Sequence, residues 1–318
     1  MTLQMIHAAA ARLQGHARLT PLLNAPLLDA RFGKRILVKA ECLQLTGSFK
    51  FRGAWSAVSA LPAGTQGVLA YSSGNHGQGV ALAAARHGLS AVVVMPSDAP
   101  AVKIANTRAY GAEVVLYDRA TEDRDAIGAA LCAGRGLTLI KPFDVAQVIA
   151  GQGTVGLEIA DQAREASVTA ADVLVCCGGG GLSAGIAMAL ADHAPGLQVR
   201  TVEPEGFDDM ARSLAHGTRL RNAVAQGSVC DAILTPTPGE MTFPILQRLA
   251  GPGLCVSDDQ ALQAMALAFT HLHIILEPGG AVALAAALFQ ATSDPVICVA
   301  SGGNADPALF RDALTRFG

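Results

Sequence analysis

Short apolar runs rich in β-branched residues alternate along the chain with longer stretches of helical periodicity. Continuous apolar runs, without a polar residue at every second position, are typical of parallel strands that are buried on both faces. The alternation therefore predicts an α/β fold built on doubly wound parallel sheets. The predicted strands are residues 36–39, 67–71, 91–95, 114–116, 137–140, 173–177, 198–202 and 296–300.

Helix starts can be predicted at several of the connections. A Pro-Ser-Asp-Ala-Pro segment at residues 96–100 precedes one helix. Ser257 is followed by two aspartates, which predicts an N-cap for a helix that continues through residues 261–272. A further helix is expected at residues 80–86, where it follows a glycine-rich segment.

The composition is that of a protein with a large core. Of the 318 residues, 51% are hydrophobic and only 15% are charged, which excludes a solvated, disordered chain. The length is about twice that of a typical domain, so we expect two lobes with the active site in the cleft between them.

Charge and apolar segments limit the partners and the location. The net charge is −3 and Lys and Arg do not cluster, which argues against a nucleic-acid partner. The N-terminus shows no secretory signal, and His, Glu, Pro and Gly residues interrupt the most apolar segment, residues 261–289, too often for a membrane span. The seven cysteines form no C-x-x-C pair and several lie in apolar runs, which indicates reduced thiols and a cytoplasmic location.

A lysine in an apolar setting is the first candidate for chemistry. Lys50 lies between Phe49 and Phe51, at the start of a predicted helix. Apolar surroundings lower the pKa of an amine and suit it to attack an aldehyde. The alternative is a surface lysine on an amphipathic helix.

Two glycine-rich segments follow predicted strands. Residues 72–79 contain small hydroxyls and glycines before a helix, which favours binding of an anion such as a carboxylate. The alternative is a capped turn in which His76 has only a structural role. Gly178, Gly179, Gly180 and Gly181 form a loop that can wrap around a phosphate.

The second loop also raises a rival cofactor. Gly179, Gly181 and Ala184 satisfy the dinucleotide fingerprint, and Glu203 lies 22 residues after Gly181. An NAD site would explain this loop, but it would leave Lys50 without a role.

Two further segments offer ligands. Ser301 ends the last predicted strand, where its hydroxyl could bond a heteroaromatic nitrogen or only terminate the strand. Carboxylates at residues 203–209 could bind Mg²⁺ or Ca²⁺. Alternatively, Asp208 and Asp209 stabilise the N-terminus of the following helix.

Taken in order, these segments resemble the fold-type II pyridoxal-phosphate (PLP) enzymes related to the tryptophan synthase β subunit, and in particular the serine/threonine dehydratase and serine racemase group. The resemblance implies two open twisted sheet lobes with the cofactor in the cleft, a large domain of residues 1–51 and 147–318, a small domain of residues 52–146, and a homodimer. The matching segments are residues 46–54 (TGSFKFRGA), 72–76 (SSGNH), 148–154 (VIAGQGT), 178–181 (GGGG), 277–281 (EPGGA) and 301–304 (SGGN).

The resemblance also implies the cofactor contacts. Lys50 would hold PLP through its amine and later remove the Cα proton of the substrate. Ser301 would face the ring nitrogen, where a neutral hydroxyl favours elimination over transamination. The remaining cofactor contacts would be Phe49 stacked beside the ring, Asn75 on the 3′-hydroxyl, Glu277 near the ring, and Gly178, Gly179, Gly180 and Gly181 around the phosphate.

Substrate and metal contacts follow from the same resemblance. Ser72, Ser73 and Asn75 would bind the substrate carboxylate, and Arg124 would approach a second carboxylate or remain a solvated helix residue. Ser73 would also be the proton donor on the face opposite Lys50, which gives slow racemisation beside elimination. Glu203, Asp209 and the carbonyl of Phe207 match positions that bind a divalent cation in racemase-like members.

The reaction implied is β-elimination from L-threonine and/or L-serine to a 2-oxo acid and ammonia. The alternatives are a serine racemase and a dehydratase for 3-hydroxyaspartate or another bulky β-hydroxy amino acid. Ala232 stands after Asp231 where the group usually has glycine, so the loop beside the substrate departs from the pattern.

Overall fold

The chain contains two separate β-sheets, each covered by helices. The computed structural model describes residues 1–72, 74–99, 101–224 and 226–318. One sheet has six strands and the other has four. The α/β fold predicted from the sequence is confirmed.

The six-stranded sheet has the order β1-β2-β10-β7-β8-β9. The first strand pairs antiparallel with its neighbour, and the other pairs are parallel. Its strands are β1 (Leu22–Asn24), β2 (Ile36–Lys39), β7 (Ala171–Cys176), β8 (Leu197–Pro204), β9 (Leu254–Val256) and β10 (Val296–Val299).

The four-stranded sheet has the order β5-β4-β3-β6, and all of its strands are parallel. Parallel pairing brings the carboxyl ends of neighbouring strands to one edge, which is where ligands bind in such sheets. Its strands are β3 (Gly67–Tyr71), β4 (Ser90–Pro96), β5 (Glu113–Tyr117) and β6 (Leu137–Leu139).

Helices fill the connections between strands. They are α1 (Leu3–Leu13), α2 (Pro26–Phe32), α3 (Lys50–Val58), α4 (Asn75–Arg86), α5 (Ala101–Ala109), α6 (Arg124–Arg135), α7 (Ala146–Glu165), α8 (Gly181–His193), α9 (Asp209–His216), α10 (Thr242–Leu249), α11 (Asp258–Leu267), α12 (Pro278–Phe289) and α13 (Pro307–Phe317). Among the residues described, none of these helices is long and apolar enough to cross a membrane.

All eight predicted strands are present; β2 and β3 have the predicted ends, and the ends of the other six differ by at most two residues. The strands that the sequence pattern missed are β1 and β9, which lie at the two edges of the six-stranded sheet. Each is three residues long, which is too short to show a periodicity.

Two helix predictions need correction. The helix expected to begin at residue 80 begins at Asn75, because Gly74 serves as its N-cap. The helix capped by Ser257 has the predicted start, with a capping box to Gln260, but its α-helical part ends at Leu267. Residues 268–272 continue as a single π-helical turn.

The large and small domains remain a prediction, as do the homodimer and the cytoplasmic location. The predicted boundary between residues 51 and 52 passes through α3. All strands of the four-stranded sheet lie between residues 67 and 139. The seven cysteines, all in described parts of the chain, are unpaired thiols.

Candidate active site

The segments singled out in the sequence lie at the carboxyl ends of strands from both sheets. Residues 72–76 follow β3, residues 177–181 follow β7, and residues 300–304 follow β10. The backbone N–H of Phe49 donates to the carbonyl of Ser301 at 3.1 Å. This bond attaches the start of α3, and so Lys50, to the end of the last strand.

Lys50 is the first residue of α3 and is half-buried. Its Nζ donates to the carbonyl of Pro142 at 3.3 Å and lies 5.0 Å from the centre of the Phe49 ring. Burial lowers the pKa of Lys50 to about 8, although Cys176 and Glu277 partly oppose the shift. A surface lysine is therefore excluded, and the amine can react with an aldehyde near neutral pH.

The lowered pKa of Lys50 predicts the pH dependence of cofactor attachment. The neutral amine is the nucleophile, so the rate of covalent attachment of PLP to apoprotein should rise with pH and level off above about pH 8. A lysine of ordinary pKa would give a rate that still rises near pH 10. Stopped-flow absorbance at saturating PLP measures this profile, and a profile without a plateau below pH 10 would contradict the shift.

The glycine loop has the form of an anion cradle. Among the described residues, no carbonyl or side chain accepts a hydrogen bond from the N–H groups of Gly178, Gly179 or Gly180. Gly180 has φ +87°, and a Cβ on Gly178 would lie 2.5 Å from Oγ1 of Thr235. Free N–H groups that precede the N-terminus of α8 fit a phosphate, as the sequence predicts.

Ser301 has a partner that the sequence did not indicate. Sγ of Cys176 donates to Oγ of Ser301 at 3.0 Å, and both residues are buried. Burial raises the pKa of Cys176 to about 11, so the thiol keeps its proton. The Cys176 thiol donates to the oxygen of Ser301. The hydroxyl hydrogen of Ser301 is therefore available to bond another acceptor.

Asn75 and Glu277 form a second polar group. The amide of Asn75 donates to the Glu277 carboxylate and accepts from Nδ2 of Asn304 at 2.7 Å. Burial raises the pKa of Glu277 to about 7, although Lys103 and the bond from Asn75 oppose the shift. The sequence had placed Asn75 and Glu277 at the cofactor; the structure adds that they bond each other.

The predicted carboxylate site lies in the loop between β3 and α4. Oγ of Ser72 accepts from the N–H of Gly74 at 3.1 Å, which leaves its hydroxyl hydrogen to donate elsewhere. Ser73 lies outside the described residues, so its roles in carboxylate binding and racemisation remain predictions. His76 is a helix residue rather than a turn residue, and its ring bonds the carbonyl of Ile140 at 2.7 Å.

Arg124 is the first residue of α6, and its side chain is 48% exposed. Its guanidinium lies 5.2 Å from the centre of the Tyr71 ring and 3.5 Å from the carboxylate of Asp125. Tyr71 directly precedes Ser72, so Arg124 contacts the residue next to the carboxylate loop.

The predicted metal ligands are close to one another, but Glu203 has another role. Its two oxygens accept from the N–H groups of Met210 and Ala211, at 2.9 and 2.7 Å. The cap of α9 is therefore Glu203, whereas the side chain of Asp208 makes no cap bond. This corrects the expectation that Asp208 supplies the helix-start contact.

Asp209 retains one free oxygen. It is buried, Oδ1 accepts from Asn222 at 2.6 Å, and Oδ2 has no partner among the described residues. Burial and the neighbouring Asp209 together raise the pKa of Glu203 well above its usual range. Two buried carboxylates that form no salt bridge among the described residues fit a hard divalent ion. Within the described parts of the chain, no three His, Cys, Asp or Glu side chains form a metal-binding group.

Metal removal tests this position. If Mg²⁺ or Ca²⁺ is bound by Asp209 with Glu203 and the Phe207 carbonyl, exhaustive EDTA treatment should lower the melting temperature by several degrees, and added Mg²⁺ should restore it. An Asp209→Asn variant should have lost this response. A melting temperature that EDTA does not change would leave helix stabilisation as the role of the carboxylates.

Lys103 and Phe143 also line the site, and the sequence analysis missed both. Nζ of Lys103 lies 3.6 Å from Asp231, and a Cβ on Gly74 would lie 3.6 Å from the same nitrogen. The Phe143 ring packs directly against Gly179. No local motif marks either residue, because each reaches the site from a different helix or loop of the fold.

Comparison with known proteins decides which cofactor fits this geometry. The family model described as pyridoxal-phosphate dependent enzyme matches residues 13–302. The chain belongs to this family. The dinucleotide alternative is therefore rejected, and the lowered pKa of Lys50, the free N–H groups of the glycine loop and the hydroxyl of Ser301 all fit PLP.

Similar proteins cover nearly the whole chain. An L-threo-3-hydroxyaspartate ammonia-lyase from Pseudomonas sp is 40% identical over 311 residues, 96% of each chain. A serine racemase from Oryza sativa subsp. indica is 34% identical and covers 98% of this chain and 93% of its own. A crystal structure of threonine deaminase from T.th. matches with a TM-score of 0.91 and 46% identity, over 96% of this chain and 99% of that one.

These similarities confirm the fold-type II PLP architecture and support ammonia-lyase activity within the family. They do not identify the substrate, because the three relatives are named for three different amino acids.

Proposed function

We propose that this enzyme is a PLP-dependent ammonia-lyase that dehydrates L-threo-3-hydroxyaspartate in preference to L-threonine or L-serine. The observation that carries the proposal is the similarity over 96% of the chain to a hydroxyaspartate ammonia-lyase. This was an alternative in the sequence analysis, where threonine and serine were the main expectation. The products would be a 2-oxo dicarboxylic acid and ammonia.

Each residue of the site has a separate role in the proposed elimination. PLP, when bound, supplies the electron sink that weakens the Cα–H and Cβ–O bonds of an amino acid. The amine of Lys50, whose pKa is about 8, accepts the Cα proton. The N–H groups of Gly178 to Gly180 would hold the phosphate of PLP and so keep the cofactor beside Lys50. The hydroxyl of Ser301 would bond the cofactor without adding a full charge to it.

A second carboxylate requires a cation beside the first. Apart from Lys50, the cations near the carboxylate loop among the described residues are Lys103 and Arg124. Lys103 is only 12% exposed and is already paired with Asp231. Arg124 forms only a weak ion pair with Asp125, beside its contact with the Tyr71 ring, and it lies at the N-terminus of α6, which adds to the positive potential. We therefore assign the second carboxylate to Arg124.

Steady-state kinetics with three substrates tests the proposal. The kcat/KM for L-threo-3-hydroxyaspartate should exceed that for L-serine and L-threonine by about tenfold or more, because one charged hydrogen bond contributes about 1.5–3 kcal/mol. Arg124→Met should lower kcat/KM for hydroxyaspartate by about tenfold and change that for L-serine by less than about threefold.

Arg119→Met is the matched control, since the exposed pair of Arg119 with Asp98 is an ion pair on the protein surface. It should change none of the three rates. A wild-type preference for L-threonine or L-serine would reject the hydroxyaspartate assignment. An equal loss on all three substrates in Arg124→Met would reject the role of that residue alone.

A further inference from the structure

Gln152 is a buried amide on α7 whose hydrogen-bonding capacity is unused. The residue is 1% exposed, and neither its Nε2 nor its Oε1 has a partner among the described residues. A glutamine amide carries two N–H donors and an acceptor with two lone pairs. Among the described residues, the other buried amide nitrogen without a partner is Nε2 of Gln78.

An amide in this condition is destabilising unless a ligand completes its hydrogen bonds. Burial removes the amide from water, and none of the described protein groups compensates for the loss. Gln162 on the same helix, by contrast, has a partner at each end of its amide. Its Oε1 accepts from Nζ of Lys39 at 2.9 Å, and its Nε2 donates to the carbonyl of Thr20 at 2.9 Å.

The Gln152 amide lies close both to α3, which carries Lys50, and to the start of α8, which follows the glycine loop. A Cβ on Gly181 would lie 2.6 Å from Oε1, and a Cβ on Gly53 would lie 3.0 Å from Nε2. Gly181 is the first residue of α8, directly after the glycine loop. Gly53 lies one turn after Lys50 in α3. The amide is therefore placed between the helix that carries the reactive amine and the N-terminus that receives the phosphate.

A phosphate bound at the glycine loop would require the NH₂ group of Gln152 rather than its oxygen. A phosphate in the glycine loop accepts hydrogen bonds only, and the N–H groups of Gly178, Gly179 and Gly180 supply donors from the backbone. The oxygen and nitrogen of a glutamine amide exchange positions by rotation about the last side-chain bond. Such a rotation turns the NH₂ group of Gln152 towards the start of α8.

We propose that the side-chain amide of Gln152 donates a hydrogen bond to the phosphate of PLP and is thus a cofactor-binding residue in addition to the glycine loop. The proposal rests on the cofactor and not on the identity of the substrate. A cofactor-binding Gln152 and a purely structural Gln152 differ in two measurable quantities, the Kd for PLP and the stability of the apoprotein. Loss of the amide weakens PLP binding and leaves the apoprotein as stable as before, or more stable.

Titration of apoprotein with PLP and with pyridoxal, which lacks the phosphate, measures the first effect. In Gln152→Leu, the Kd for PLP should rise about tenfold or more, as expected for a lost hydrogen bond to a charged group. The Kd for pyridoxal should change by less than about twofold. The ³¹P chemical shift of bound PLP should also differ from that of the wild type.

Thermal unfolding of the apoproteins measures the second effect. The melting temperature of Gln152→Leu apoprotein should equal or exceed that of the wild type. The matched control is Gln162→Leu, whose apoprotein should melt lower because Lys39 and the carbonyl of Thr20 each lose one hydrogen bond. Its Kd for PLP should be unchanged.

A Gln152→Met variant, with an unbranched side chain of similar length, repeats the test if the leucine variant does not fold. An unchanged Kd for PLP in these variants, or equal weakening of PLP and pyridoxal, would overturn the proposal. A failure of the enzyme to act on hydroxyaspartate would not affect either result, since no substrate is present.

Discussion

Replacing Lys50 with alanine should remove both the yellow colour of the purified enzyme and its turnover. In the proposed mechanism, the amine of Lys50 attaches PLP covalently and accepts the Cα proton of the substrate. Loss of a general base alone costs about 10²–10⁴-fold. With the attachment lost as well, we expect kcat to fall by roughly 10⁴-fold or more. Visible absorbance and 2-oxo acid production measure the two losses.

Lys34→Ala is the control for the Lys50 variant. Lys34 lies before β2, at the opposite end of that strand from the cleft, and its Nζ donates to the carbonyl of Ala291 at 2.6 Å. This variant should stay yellow and active. If Lys50→Ala retained covalently bound PLP, the assignment of the attachment site would be wrong.

Replacing Arg52 with methionine should destabilise the protein more than any surface change. Arg52 is buried and makes paired hydrogen bonds to Glu41, both at 2.8 Å, and to Glu158 at 2.6 and 2.9 Å. Lys39 joins the same cluster through Glu158. Removal of the guanidinium leaves Glu41 buried without its main partner, which costs about 3–5 kcal/mol. Urea unfolding of the apoprotein measures the change in the free energy of unfolding.

Arg164→Met tests the same chemical change on the surface. Arg164 pairs with Asp161 at 2.9 Å, but both side chains are largely exposed, so the loss should be below about 1 kcal/mol. If Arg52→Met and Arg164→Met unfolded at the same urea concentration, the buried cluster would contribute no more to the free energy of unfolding than a surface ion pair. Because α3 begins at Lys50, a large loss at Arg52 would also show that this cluster anchors the helix carrying the reactive amine.

Local sequence patterns were sufficient for all strands of the four-stranded sheet, for four strands of the six-stranded sheet and for the segments at their carboxyl ends. A strand buried on both faces, such as β7 or β10, needs a continuous apolar run, and a turn that approaches a phosphate needs glycine. Lys50 was found for the same reason, since its two aromatic neighbours show its apolar setting. These features depend on residues that are adjacent in the chain.

The relation between distant segments could not be predicted. The hydrogen bond between Cys176 and Ser301 joins residues 125 positions apart, and that between Asn75 and Glu277 joins residues 202 positions apart. The capping of α9 by Glu203, rather than by the adjacent Asp208, also depends on how the end of β8 packs against that helix.

By itself, the sequence determined the alternation of strands and helices, and it located the lysine proposed to hold PLP and the glycine loop proposed to bind the phosphate. Each of these follows from short-range sterics and burial. Only the tertiary structure decided the short edge strands β1 and β9, which exist because a neighbouring strand offers its free backbone groups. It also decided the place of Gln152, because a buried amide can be identified as unpartnered only when every neighbour packed around it is known.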